Sequence, residues 1–226
     1  MNQFGTLYIV ATPIGHPDDI TLRAIETLKA ADAVVCEEYK PGSTLLKKLG
    51  IEGKEMVLLN EHNEAEVAAD LLTRLLNGQS LALFSDCGTP VFSDPGHYLI
   101  QLASSSGVKV SPIPGASSLM AALSVLDFHL ERFMFAGFLP RDPDVRRKML
   151  TYYRTLKLPV VVMDTPYRLG ALLDDVVKSF GKGIWVTVAF DMTLPTETIY
   201  RGEAADVRKM IGPRKGEFIM IIGNMG

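Results

Sequence analysis

Short apolar runs alternate along the chain with segments whose apolar residues recur at helical spacing. Strands are predicted from "TLYIVA", "AVVCEE", "MVLL", "SLALFS" and "VKVSPIPG". The segment "EAEVAADLLTRLLNG" predicts a helix that ends at a glycine. Leu22, Ile25 and Leu28 predict another helix, with Asp18 or Asp19 as its expected cap. This alternation is typical of a mostly parallel sheet with helices on both faces.

The pattern changes between residues 127 and 140. The stretch "ERFMFAGFLPRDPD" is first aromatic and then rich in proline and charge, so we place a domain boundary there. The expected domains are residues 1–127, with a mostly parallel sheet, and residues 128–226, with a mixed sheet. Both are α/β, and a ligand cleft is expected between them.

Composition narrows the class of protein. The chain has 226 residues, 47% of them hydrophobic, with 23 basic against 26 acidic residues, a net charge of −3. This balance argues against a free-standing binder of naked nucleic acid but permits a local basic patch. Two cysteines without a C-x-x-C motif argue against a disulfide framework and favour the cytoplasm. No signal peptide or membrane span is expected.

Several common site motifs are missing from the sequence. There is no G-x-G-x-x-G after the first strand, no phosphate-binding P-loop and no G-x-S-x-G elbow. The four histidines show no metal-ligand spacing, so no metal site is expected. His62, in "NEHNE", is the only histidine among carboxylates, and a solvated surface position is its more ordinary interpretation.

Three loops that follow predicted strands share one character. They read "ATPIGHPDD", "SDCGTPVFSDPG" and "SPIPGASS", and each is rich in glycine and proline. Proline stiffens a loop and glycine lets backbone approach a ligand, so such loops bind with little loss of entropy. Ligands of open α/β sheets lie at the carboxyl ends of strands. Ordinary turns remain the alternative interpretation of each loop taken alone.

These residues carry a resemblance to a known family. The blocks "GTLYIVATPIGHPDDITLRAIETLKAADAVVCEE", "NEHNE", "LFSDCGTPVFSDPG", "VSPIPGASSLMAALS", "FAGFLPR", "DTPYRL" and "KGEFIMII" occur in order over almost the whole chain. The chain resembles the tetrapyrrole methylase superfamily of S-adenosylmethionine-dependent methyltransferases, the class III methyltransferases. Within it, the chain is most similar to the bacterial branch that methylates the 2′-hydroxyl of a cytidine ribose in small-subunit ribosomal RNA.

The resemblance implies two α/β domains, S-adenosylmethionine in the cleft between them, and a homodimer. The cofactor-binding residues it implies are Pro13, Asp86, Val91, Ser117, Ser118, Met163 and Ala189. A carboxylate at a strand end, as at Asp86, can accept hydrogen bonds from polar groups of a cofactor. Ser117 and Ser118 open a helix, where a plain N-cap is an equally good interpretation of Ser117.

The chain also departs from the ribosomal branch. That branch usually carries A-E-D-T-R where residues 36–40 read "CEEYK", an R-E-L-T-K-type segment where residues 189–193 read "AFDMT", and a further helical segment beyond the position of Gly226. Three hypotheses therefore stand: ribose methylation of ribosomal RNA, methylation of a corrinoid or porphyrin precursor, and a non-catalytic cofactor-binding module. "NEHNE" and "GFLPR" favour the first, and the acidic isoelectric point, near 5.8, favours the second.

The chemistry of methyl transfer suggests which side chains to look for. Transfer from a sulfonium depends mainly on alignment of the nucleophile, and a ribose hydroxyl must also lose its proton to a carboxylate or histidine. The candidates for this base are Glu61, His62 and Asp94. The candidates for contacts with RNA phosphates are Arg141, Arg146, Arg147 and Lys148, for which a solvated helix face is the alternative.

Overall fold

The chain folds into two compact units, divided between Ser117 and Ser118. The computed structural model describes residues 4–91 and 94–223. The predicted boundary between residues 127 and 128 lies later in the chain than this division and stays a prediction. The elements of the first unit are β1 (Thr6–Val10), α1 (Leu22–Ala30), β2 (Ala33–Cys36), α2 (Tyr39–Lys48), β3 (Glu55–Leu58), α3 (Glu64–Leu76), β4 (Leu81–Phe84), α4 (His97–Ser105) and β5 (Lys109–Ile113).

The first unit has a five-stranded parallel sheet in the order β3-β2-β4-β1-β5. Strands β2 and β4 are buried at every residue, which explains their unbroken apolar runs. Val10 and Phe84 face α1 and α2, whereas Leu7 and Leu83 face α3 and α4. The central strands β1 and β4 are neighbours, yet the helices that follow them, α1 and α4, lie on opposite faces. Open α/β sheets bind ligands at such points.

The second unit has a mixed sheet with helices on both faces. Its elements are α5 (Ser118–Ser124), β6 (Met134–Phe138), α6 (Pro143–Thr155), β7 (Val160–Asp164), α7 (Leu169–Phe180), β8 (Trp185–Phe190), β9 (Thr198–Glu203), α8 (Ala204–Ile211) and β10 (Phe218–Ile222). The strand order is β6-β7-β10-β8-β9, with β6 and β7 parallel and the other pairs antiparallel. Helices α6, α7 and α8 cover one face and α5 covers part of the other. The predicted α/β class, with a mixed second sheet, is confirmed.

The start of α1 differs from the prediction. Asp18 and Asp19 lie in a short 3₁₀ turn, and the N-cap of α1 is Thr21. The Thr21 hydroxyl accepts a hydrogen bond from the Ala24 amide at 3.1 Å, which satisfies a free helix donor. The two aspartates therefore precede the helix instead of capping it.

No helix within residues 4–91 and 94–223 is long and apolar enough to cross a bilayer. Over the same residues, no group of three or more histidine, cysteine or acidic side chains is arranged to hold a metal ion.

Candidate functional site

The three glycine- and proline-rich loops form one hydrogen-bonded body at the carboxyl edge of the first sheet. We call residues 11–21, 85–91 with 94–96, and 114–117 the edge loops. The Thr12 amide donates to the Gly88 carbonyl at 2.8 Å, and the Thr12 hydroxyl donates to the Ser85 carbonyl at 3.0 Å. The Thr89 hydroxyl donates to the Ala116 carbonyl at 3.1 Å. Because each loop holds the next, their backbone groups are fixed before any ligand arrives.

Glycine is required where the edge loops touch. Gly88 has a φ of +77°, and a Cβ there would lie 3.2 Å from the Ile14 side chain. A Cβ on Gly115 would lie 3.0 Å from the Cβ of Ala11. Side chains at these two positions would push the loops apart, so the glycines allow the backbone packing.

Val91 is held in a strained conformation. Its φ is +74°, in the left-handed region, which a β-branched residue rarely occupies. Such strain costs roughly 1–3 kcal/mol and persists where the surrounding structure enforces it, often at functional sites. The resemblance implies Val91 as a cofactor contact, and the strain is independent support for a functional position. Phe92 and Ser93 lie outside the described residues.

Carboxylates gather around the end of β4. Burial raises the pKa of Asp86 above its ordinary value of 3.8, and the nearby charges of Glu38 and Asp94 raise it further. Burial also raises the pKa of Asp94, against a hydrogen bond from Ser85 that lowers it. The pKa of Glu37 is raised by burial and then by the charges of Asp94 and Asp86. This acidic cluster, formed by Glu37, Glu38, Asp86 and Asp94, favours a cationic partner.

The cluster also affects a buried thiol. Burial, together with the charge of Asp86, raises the pKa of Cys36 to about 11. Cys36 is therefore protonated at neutral pH and packs as an apolar residue in the core.

The other two candidates for a base lie in a different environment from Asp94. Glu61 and His62 sit in the turn after β3, and their side chains are 81% and 86% exposed. Of the two, only Glu61 affects the acidic cluster: its negative charge is the smallest of the causes that raise the pKa of Glu37. The structure therefore brings Asp94, half-buried at the edge loops, closest to the predicted site.

A cavity of about 350 Å³ opens beside the first two edge loops. Pro13 and Asp86, two implied cofactor residues, lie in its wall, and Lys40 and Lys48 line it from α2. Residues 36–40, whose sequence differs from that of the ribosomal branch, therefore border this cavity through Lys40. Its volume falls in the range typical of small-molecule sites.

Glu64 is a structural residue of the site that the sequence analysis missed. Its carboxylate accepts hydrogen bonds from the amides of Gly96 and Tyr98, at 2.8 and 3.0 Å. An anion there satisfies free donors at the start of α4 and anchors the end of the second edge loop. The contact spans 32 residues of sequence, and no local signal indicates it.

The implied residues at the third loop lie at consecutive positions. Ser117 closes the first unit, and Ser118 is the first residue of α5.

Met163 and Ala189 lie in one cross-strand row of the second sheet. Ile219 pairs with Met163 on one side and with Ala189 on the other, so the three side chains share a face. All three belong to the cluster on the α5 face. The row offers an apolar surface of the kind that an adenine ring contacts.

Arg146 is not available to RNA, which corrects one of the four expected contacts. Its side chain is 5% exposed, and its Nε donates to Asp175 at 2.8 Å. Its Nη1 donates to the carbonyls of Pro140 and Arg141, at 3.1 and 3.0 Å. The side chain is used to hold α6, α7 and the preceding loop together, because a buried guanidinium requires such partners.

The other three basic residues differ in exposure. Arg141 and Lys148 are exposed. Arg147 is one-third exposed and already pairs with Asp144 and Asp175. Arg141, Arg147 and Lys148 therefore remain as the basic face that could meet phosphates.

The residues present fit S-adenosylmethionine, which the resemblance implies. In the first unit, the acidic cluster complements a sulfonium and an ammonium group, and the edge loops supply backbone donors and acceptors. In the second unit, taken by itself, the row around Ile219 is apolar. Among residues 4–91 and 94–223, no group hydrogen-bonds to the carboxylate of Asp86, so it is available to a ligand.

Comparison with known proteins identifies the family of the chain. A family model described as "Tetrapyrrole (Corrin/Porphyrin) Methylases" matches residues 6–208. A ribosomal RNA small subunit methyltransferase I of Xylella fastidiosa (strain Temecula1) is 38% identical, over 98% of this chain and 82% of that protein. The protein of the same name in Escherichia coli O157:H7 is 36% identical, over 98% and 78%.

The fold also matches solved structures. A uroporphyrin-III C-methyltransferase from Thermus thermophilus, crystallised with S-adenosylhomocysteine, superposes with a TM-score of 0.67 at 18% identity, over 97% of this chain and 98% of that chain.

Proposed function

Since this chain belongs to the tetrapyrrole methylase family and is an S-adenosylmethionine-dependent methyltransferase, we propose that it methylates a ribose 2′-hydroxyl of a cytidine in small-subunit ribosomal RNA. The observation that carries the proposal is the similarity to relatives named as small-subunit ribosomal RNA methyltransferases, at 36–38% identity over 98% of this chain. A similarity of that extent covers both units. A cytoplasmic location and a homodimer belong to the same proposal.

We assign the cofactor contacts to the residues that the resemblance implies. S-adenosylmethionine supplies the methyl group as an electrophile when bound. Asp86 offers carboxylate oxygens to its polar groups, and Val91 presents its strained backbone from the same edge loop. Pro13 and Ser117 contribute from the other two loops, Ser118 contributes from the start of α5, and Met163 and Ala189 contribute apolar surface.

The acceptor hydroxyl must lose its proton as the carbon–oxygen bond forms. We propose Asp94 as the base, because its half-buried carboxyl has a raised pKa and therefore holds a proton better than an exposed aspartate. Glu61 and His62 are too exposed to be favoured for this role. Positioning of the hydroxyl against the methyl carbon supplies much of the rate.

Phosphates on either side of the acceptor require cationic groups. We propose Arg141, Arg147 and Lys148 at the start of α6 as one contact region, since phosphate contacts supply most of the sequence-independent affinity for RNA.

The direct test is transfer of tritiated methyl groups from S-adenosylmethionine to small ribosomal subunits isolated from cells that lack this enzyme. The account predicts label in the ribosomal RNA of small subunits and none in that of large subunits. Label transferred to a porphyrin or corrin precursor, with none in RNA, would favour the second hypothesis. Cofactor binding without transfer to either acceptor would favour a non-catalytic module.

A further inference from the structure

A β-bulge in the second unit turns an aromatic side chain toward a proposed cofactor contact. The pairing of β6 with β7 shifts register between Phe135 and Gly137, and Gly137 has a φ of +62°. Phe135 pairs with Val161 and Phe138 pairs with Met163. Both Phe135 and Phe138 therefore share the face of Met163, although simple alternation would place Phe138 on the opposite face. Bulges next to active sites often re-aim a side chain in this way.

Phe138 does not become a core residue on that face. Its side chain is 51% exposed, whereas Phe135 packs into the apolar cluster beneath α5. The bulge thus places a large aromatic ring in solvent, beside Met163. Packing of the core gives no reason for this arrangement.

A second exposed aromatic residue lies at the same edge of the sheet. Tyr167 is 78% exposed and sits in the turn after β7, which is the strand that pairs with β6. The ammonium of Lys215, just before β10, lies 5.0 Å from the centre of the Tyr167 ring. This is a cation–π contact, which leaves the other face of the ring available for stacking.

Two arginines, one half-buried and one buried, fix the backbone under these side chains. Arg168 donates to the Leu139 carbonyl at 2.9 Å and pairs with Asp164, whose side chain is fully buried. Arg146 holds the carbonyls of the next two residues, as described above. The loop after β6 is therefore fixed to the turn after β7, and the two exposed rings stand on rigid backbone.

The backbone before β10 is fixed as well. A Cβ on Gly216 would lie 2.2 Å from Asp191 Oδ1 and 2.5 Å from the Phe190 ring, so only glycine allows this close approach. Asp191 forms an ion pair with Arg214, so its charge is already partly neutralised beside Lys215. Glu217 is the nearby acid outside this pair, and burial and Asp191 raise its pKa. Lys215 is thus held at the edge as an exposed cation.

We propose that Phe138, Tyr167 and Lys215 form a stacking platform for unpaired RNA bases, in which Phe138 stacks on the nucleobase of the acceptor nucleotide. Tyr167 stacks on a neighbouring base and Lys215 contacts the phosphate between them. Proteins that bind single-stranded RNA commonly combine exposed aromatic rings with cationic side chains, because every base has a face that can stack on a ring. This inference rests on the proposed function and names how the substrate is held beside Met163.

The platform is tested by binding of a fluorescent single-stranded oligocytidine of about 12 nucleotides, a length within the range of known single-strand sites. Phe138→Leu and Tyr167→Leu should each weaken binding about tenfold, since base–aromatic stacking is lost. Phe138→Tyr, which keeps a ring, should bind within about twofold of the wild type. Lys215→Ala should weaken binding and reduce its dependence on salt.

Two matched controls are available in the chain. Phe4→Leu changes an aromatic residue that is 45% exposed, just before β1 in the first unit. Lys182→Ala removes an exposed lysine in the turn before β8, whereas Lys215 precedes β10 at the opposite edge of the sheet. Both controls should bind the oligonucleotide like the wild type, and all variants should keep their unliganded melting temperature within about 2 °C, as surface substitutions do.

Several results would overturn the platform. They are unchanged binding in both leucine variants, loss of binding in Phe138→Tyr equal to that in Phe138→Leu, or no binding of the oligonucleotide by the wild type. A shift of the monomer–dimer equilibrium in the leucine variants, with RNA binding intact, would assign the rings to an interface between copies. Methyl transfer to small subunits is measured separately on the wild type, so failure of the proposed function is distinguished from failure of the platform.

Discussion

Among the proposed cofactor contacts, Asp86 is the one that a single substitution tests most directly. It lies two residues after β4 in the acidic cluster, and its carboxylate has no hydrogen-bond partner among the described residues. Burial and the charges of Glu38 and Asp94 raise its pKa, so the unliganded surroundings disfavour the charge. We therefore expect this carboxylate to bind a ligand and to contribute little to the stability of the turn.

This predicts the behaviour of Asp86→Ala in thermal melts. A ligand of the folded state at a hundredfold excess over Kd stabilises it by about 2.7 kcal/mol, and each kcal/mol shifts Tm by roughly 2–4 °C at this size. S-adenosylhomocysteine should therefore raise the wild-type Tm by about 5–10 °C. Asp86→Ala should lose most of that rise while the unliganded Tm stays nearly unchanged. The matched control is Asp70→Ala, which changes an exposed aspartate on α3 and should keep the full rise. A large fall in the unliganded Tm of Asp86→Ala would show that Asp86 stabilises the turn instead of binding the ligand.

The raised pKa of Asp94 predicts how the stability of the fold depends on pH. Burial raises its folded pKa above the ordinary 3.8, so the folded state binds this proton more tightly than the unfolded chain. The ionised carboxyl therefore destabilises the fold, increasingly as pH rises from 3.8 through the raised pKa. Asp94→Asn should have a Tm that exceeds the wild-type value by a margin that grows between about pH 3.5 and 7. A margin that shrinks over this range in unliganded melts would contradict the assigned environment.

At the scale of elements, α6 combines a structural arginine with exposed cations. Removal of one partner from a buried ion pair costs about 3–5 kcal/mol, so Arg146→Ala should lower stability by roughly that amount in denaturant unfolding. Lys148→Glu should leave stability unchanged and weaken binding to small ribosomal subunits, with a flatter salt dependence. Lys182→Glu is the matched charge control. Equal stability losses in Arg146→Ala and Lys148→Glu would contradict this division of roles.

The same helix shows what the sequence could and could not predict. The basic run in residues 141–148 is visible in the sequence, but the identity of its buried member depends on Asp175 of α7. The cap of α1 is not predictable from its neighbours, because Asp18 and Asp19 are good caps in isolation but lie in a 3₁₀ turn, and Thr21 is the N-cap. The contact of Glu64 with the start of α4 is equally non-local.

At the scale of the whole molecule, the periodicity was sufficient for the fold. Unbroken apolar strands between amphipathic helices require a buried parallel sheet in the first unit, and the second unit has the mixed sheet that was expected for it. The three edge loops were predictable because parallel strands place their carboxyl ends at one edge. The strain at Val91 and the bulge at Gly137 were not predictable, since both depend on how neighbouring segments force the backbone.

The central claim is that the methyl group reaches a ribose oxygen of small-subunit ribosomal RNA. A ribose methylated at its 2′-oxygen cannot cyclise onto the adjacent phosphate, so the linkage that follows it survives alkali. Small subunits labelled with tritiated methyl groups by the wild-type enzyme are therefore hydrolysed in alkali, and the products are separated by charge. The account predicts that the label is recovered in an alkali-resistant dinucleotide containing methylated cytidine. Recovery of the label in mononucleotides, which would place the methyl group on a base, would contradict it.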